Sequence, residues 1–79
     1  MKVQVYGVQK CKKCQNVIDV IKAFLVDYSI GAEVEHINDL GKLAEAGILM
    51  TPGIAVDGKV VSQGKVPAEQ DLKEWFGVD

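Results

Sequence analysis

The hydrophobic period of the chain changes at residue 11, and that change restricts the fold more than any other feature. Before it, Val3 and Val5, with Met1, alternate with Lys2, Gln4 and Tyr6. This is the period-two pattern of a half-buried strand of about five residues. Beyond it, Val17, Ile18, Ile21, Leu25 and Tyr28 recur at helical spacing, which predicts a helix from Cys11 to Asp27 or Tyr28. Gly7 breaks the strand, Val8-Gln9-Lys10 form a short loop, and Cys11-Lys12-Lys13-Cys14 occupies the handover.

Gly31 is the expected stop for that helix, and alternation returns in Ala32-Glu33-Val34-Glu35-His36-Ile37 as a second strand. Asn38 reads as the N-cap of a short helix with Leu40, Leu43 and Ala44 inward and Gly47 closing it. Ile48-Leu49-Met50 lead into Thr51-Pro52-Gly53, followed by strands at Ile54–Val56 and Lys59–Ser62. Asp57-Gly58 between those strands is a strong hairpin signal. Val66-Pro67-Ala68-Glu69 opens a last helix, with proline and acid suited to its first turn, and Leu72, Trp75 and Phe76 make its apolar face.

The order strand, helix, strand, short helix, strand, strand, helix predicts an α/β fold with a four-stranded mixed sheet. The first two strands run parallel through a right-handed crossover, and the last two form an antiparallel hairpin. The first and last helices should share one face and the short helix the other. With 79 residues, residues 1–79 are expected to form one domain, burying about 60% of the unfolded surface.

The net charge of −2 comes from 9 basic and 11 acidic residues, which gives no field suited to nucleic acid or an anionic membrane. The longest apolar runs are far too short to span a bilayer, and the N-terminus lacks the apolar core of a secretory signal. A cytoplasmic monomer is expected, where a permanent structural disulfide is rare. Cysteines three positions apart also close too short a loop to staple a fold.

Chemistry explains the pair better. A thiolate, not a thiol, attacks a disulfide, and a free cysteine has a pKa of about 8.5. Cys11 lies where the unpaired N–H groups and dipole of a helix start favour the thiolate. Lys10, Lys12 and Lys13 add positive charge there, and Cys14 lies one turn further on. Cys11 is therefore read as the exposed nucleophile and Cys14 as the more buried resolving thiol. A zinc site needs four ligands, whereas the chain offers two cysteines and one histidine. No metal ligand set is assigned, and no flavin or nucleotide motif is present. Electrons would then arrive from another protein, an upstream reductase, or a small thiol, and leave to disulfide-bearing protein substrates.

Taken together, the Cys-x-x-Cys opening a helix, Thr51-Pro52 before a hairpin strand, Asp57-Gly58, Gly64 and the closing helix resemble the thioredoxin fold. The brevity of the chain, Val5-Tyr6-Gly7, Glu45-Ala46-Gly47-Ile48 and Thr51-Pro52-Gly53-Ile54 resemble the small archaeal and bacterial thioredoxin-like proteins called redox-active disulfide protein 2. The resemblance covers essentially the whole chain. It implies a cis Pro52 packed against the disulfide and a Thr51 backbone that pairs with a bound substrate strand. Lys10 stands where thioredoxins proper carry tryptophan, and Val5 where they carry a buried acid. The glutathione-holding element of glutaredoxins is not evident, so glutathione dependence is not expected.

Two rival readings are a soft-metal (copper or zinc) carrier and a non-catalytic binding module on the same scaffold. Soft thiolates do suit copper(I). Ferredoxin-like carriers, however, place methionine where this chain has Gln9, and end in a strand rather than a helical stripe. Binding modules often lose a cysteine, and this chain keeps both. His36, the single histidine, reads as a surface or partly packed residue of an outer strand, at the same sheet edge as the cysteines.

Overall fold

The computed structural model describes residues 1–7 and 12–78. The N-terminal alternation forms β1 (Lys2–Tyr6), whose Val3 and Val5 are fully buried. Tyr6, expected on the polar side, is only 7% exposed. It packs on the other face of the sheet, which is also covered. The helical stripe forms α1 (Lys12–Asp27); its expected first residue, Cys11, lies outside the described residues. The inward face of α1 carries Cys14, Val17, Ile18, Ile21, Phe24 and Leu25. Complete burial of a side chain such as Ile21 contributes about 1.5–3 kcal/mol.

Ser29, not Gly31, turns the chain out of α1. Its φ of 54° is left-handed, and Ser29 N–H donates to Val26 O at 3.2 Å while Ile30 N–H donates to Leu25 O at 2.8 Å. These paired bonds satisfy carbonyls that the helix end leaves open. β2 (Glu33–Ile37) follows, and then α2 (Leu40–Glu45), capped by Asp39 rather than Asn38. The Asp39 carboxylate accepts from the backbone N–H of Gly41 at 2.8 Å and of Lys42 at 3.2 Å. Leu40 is 71% exposed and Ala44 is exposed as well, so the inward reading of both is corrected. A six-residue helix presents little more than one turn to the sheet, and Leu43 fills it.

β3 (Gly53–Val56) and β4 (Lys59–Gln63) are joined at Asp57-Gly58, where φ values of 50° and 86° suit a tight hairpin. Asp57 also fastens the start of β1. Its N–H donates to Lys2 O at 2.8 Å, and its carboxylate accepts from Lys2 N–H at 2.8 Å. The last helix, α3 (Glu69–Phe76), begins after Pro67, and the Asp71 carboxylate accepts from Ala68 N–H at 3.1 Å.

The sheet order is β2-β1-β3-β4. β1 and β2 are parallel, while β1/β3 and β3/β4 are antiparallel. On one face α1 and Leu72 of α3 cover Val3, Val5 and Ile54, and Phe24 stacks on Phe76 with ring centroids 5.7 Å apart. Tyr6, Ile37 and Ala55 face the other way and meet Leu43 of α2 and Ile48. The fold is therefore the expected α/β arrangement, with a four-stranded mixed sheet and helices on both faces.

Candidate redox site at one edge of the sheet

Register brings the site together. Tyr6 pairs with Ile37 on one side and Gly53 on the other, and Gly53 pairs with Gln63. The ends of β1, β2 and β4 and the start of β3 thus lie along one edge. Gly7, His36, Pro52 and Gly64 gather there, with the first turn of α1 among them. The open end of parallel strands is where α/β sheets present functional groups.

Cys14 is fully buried in the first turn of α1. That turn carries no acid, only the exposed Lys12 and Lys13. No described cysteine is free, and Cys14 is disulfide-bonded. Lys10 and Cys11 lie outside the described residues.

Gly7 makes the space that Cys14 occupies. A Cβ at Gly7 would overlap Cys14 Sγ, come 3.0 Å from Cys14 Cβ and lie 3.7 Å from His36 Nε2. Gly7 N–H meanwhile donates to Ile37 O at 2.9 Å, carrying the β1/β2 ladder one residue past the strand. Backbone, sulfur and imidazole converge on this position. Val5, directly opposite His36 in the register, brings no titratable group.

The Thr51–Pro52 peptide bond is cis. Pro52 is buried and Thr51 is partly exposed. Gly64 connects this turn to α1. Its N–H donates to Pro52 O at 2.8 Å, and its carbonyl accepts from Lys13 Nζ at 3.3 Å. Lys13 thus ties the cysteine-bearing turn to the proline loop, a role that its spacing did not signal. Gln63 Oε1 accepts from Leu49 N–H at 2.7 Å and Met50 N–H at 3.2 Å. Leu49 and Met50, at 91% and 61% exposure, form an apolar rim before the proline.

Among the described residues no group of three or more His, Cys, Asp or Glu side chains is placed to hold a metal ion. No described helix is long and apolar enough to cross a membrane.

Comparison with known proteins places this geometry. The sequence profile of a thioredoxin domain matches residues 1–77. The chain is 34% identical over 74 residues to a thioredoxin of Methanothermobacter thermautotrophicus, covering 94% of this chain and 95% of that one. It is 33% identical over 64 residues to a thioredoxin of Methanocaldococcus jannaschii, covering 81% and 73% respectively. The crystal structure of a mutant of the thioredoxin-like protein BC3987 superposes with a TM-score of 0.57 at 20% identity, over 98% of this chain and 96% of that one.

Proposed function

Because the chain belongs to the thioredoxin family, whose chemistry is thiol–disulfide exchange, we propose that Cys11 and Cys14 are its redox pair. Cys11, the only other cysteine in the chain, is the disulfide partner of Cys14 and the attacking nucleophile. The observation that carries this reading is the complete burial of Cys14 in the first turn of α1. A sulfur there is shielded from outside reagents, as a resolving thiol must be, and Cys11 precedes it by three residues in the sequence. In the reducing direction the Cys11 thiolate attacks a substrate disulfide and expels one substrate thiolate. The Cys14 thiolate then attacks Cys11 Sγ, closes the internal disulfide and releases the second.

Thr51 and the cis Pro52 bind the substrate backbone, and Leu49 and Met50 supply apolar contact for a protein substrate. Lys10, Lys12 and Lys13 stabilise the thiolate. Residues 1–79 act as one domain, as a cytoplasmic monomer, with no cofactor beyond the disulfide. An upstream reductase or small thiol restores the dithiol.

Turnover of a protein disulfide under a thiol reductant tests the assignment. Wild type should accelerate it, Cys11→Ser should abolish the acceleration, and Cys14→Ser should accumulate a covalent adduct with the substrate. Activity retained in Cys11→Ser would overturn the roles. Stoichiometric, tightly held copper or zinc in an inactive wild type would favour the carrier instead.

A further inference from the structure

We propose that His36 accepts the proton of Cys14 when that thiol is called on to resolve the mixed disulfide, an inference that rests on the redox reading above. Cys14 is fully buried, and burial disfavours a thiolate. The thiol that must ionise is therefore the one least helped by solvent. His36 Nε2 and Cys14 Sγ both lie within 4 Å of a single point, the position of a Cβ on Gly7. Because Gly7 has no side chain, Cys14 Sγ and the imidazole can both approach that point with no side chain from β1 between them. A base within reach directly or through one water meets the geometric requirement for general base catalysis.

Among the described residues, the side chains that β1 and α1 bring to this face of the sheet are otherwise apolar. On the face of the sheet that it shares with Cys14, β1 presents Val3 and Val5, and α1 presents only Cys14, Val17, Ile18, Ile21, Phe24 and Leu25. The α1 charges, Lys12, Lys13, Asp19, Lys22 and Asp27, are exposed. On its own strand, Glu33 and Glu35 alternate to the opposite face, and Glu35 is paired with Lys2 at 3.0 Å. Among the described residues, Cys14 is the titratable side chain that shares the point beside Gly7 with His36. His36 itself is exposed, so its proton can pass on to water.

The step balances as follows. Neutral His36 takes the Cys14 proton. The Cys14 thiolate attacks Cys11 Sγ, the Cys11–Cys14 bond forms and the Cys11–substrate bond breaks. The substrate sulfur leaves as a thiolate with the electron pair, and the imidazolium returns its proton to that thiolate or to water. Two electrons have passed from the cysteine pair to the substrate.

Stopped-flow reaction of the fully reduced protein with dithionitrobenzoate reads the two halves separately. Attack by Cys11 releases one coloured thiolate, and resolution by Cys14 releases a second. His36→Asn and His36→Gln should leave the first phase unchanged. They should slow the second about tenfold or more near pH 7, where an unassisted thiol is only a few per cent ionised. The deficit should close as pH rises above the ordinary thiol range, where the buried thiol ionises unaided. An unchanged second phase at pH 7, or a deficit equal at every pH, would overturn the proton-acceptor role. A wild type that releases no second equivalent, or one whose second phase survives Cys14→Ser, would instead overturn the redox reading on which it rests.

Discussion

At Gly7 an added Cβ would overlap Cys14 Sγ and come 3.0 Å from Cys14 Cβ, both within the rigid first turn of α1. Neither neighbour is the far end of a flexible side chain, so Gly7→Ala should displace the start of the helix. We expect it to destabilise the oxidised protein by about 1–3 kcal/mol, the usual cost of overpacking. Urea unfolding would read this directly, and an unchanged midpoint would mean that the turn yields freely. Lys12 and Lys13 are proposed to act through their charge. Replacing both with alanine should favour the disulfide and lower the reduction potential, on the order of 10 mV for exposed charges. An unchanged or raised potential would contradict their electrostatic role. In the sequence Gly7 announced only a strand end and His36 only a surface histidine. Their convergence on Cys14 depends on the pairing of β1 with β2 and on where α1 crosses them, which no local spacing encodes.

Among the elements, α1 is terminated by Ser29 at a φ of 54°, a conformation that costs a residue with a Cβ more than it costs glycine. Ser29→Gly should therefore stabilise the protein by about 0.5–1 kcal/mol, seen as a raised urea midpoint, and a lowered midpoint would contradict this. Tyr28, at the same helix end, donates from its hydroxyl to Glu69 of α3 at 2.7 Å. That bond to a carboxylate, with burial and the Glu69 charge, raises the Tyr28 pKa above 10.0. The folded value exceeds the unfolded one, so this contribution is complete below pH 10.0 and is lost as pH rises through the folded pKa. Melting temperatures of Tyr28→Phe should be lower than wild type near neutrality and should fall less steeply in alkali. Part of the alkaline slope should remain, because Glu35 raises the Lys2 pKa in the same direction. Equal slopes would contradict the account. Element identities were legible because Val3/Val5 and Val17/Ile18/Ile21/Leu25 differ in period, and because Asp57-Gly58 suits only a few turns. Element ends were less so. Asp39 and Asn38 are both good caps, and only the backbone direction entering α2 decides between them; Ser29 carries no turn signal as strong as that of Gly31.

For the whole molecule, the two-sided sheet explains how 79 residues hold a buried sulfur at one end of the sheet. One face is packed by α1 and α3, the other by α2, and Gly7, His36, Pro52 and Gly64 share one edge of the sheet. The fold was readable from element order, whereas the tie from Lys13 through Gly64 to Pro52 joins segments more than fifty residues apart in sequence. The central claim is that Cys11 and Cys14 form one two-electron couple. Equilibrating the protein across a graded glutathione redox buffer and counting alkylated thiols by mass tests it most directly. The account predicts that both cysteines change state together, from two alkylated to none, with a two-electron slope and no glutathionylated intermediate at equilibrium. Two cysteines that titrate independently, or that stay reduced across the whole range, would contradict it.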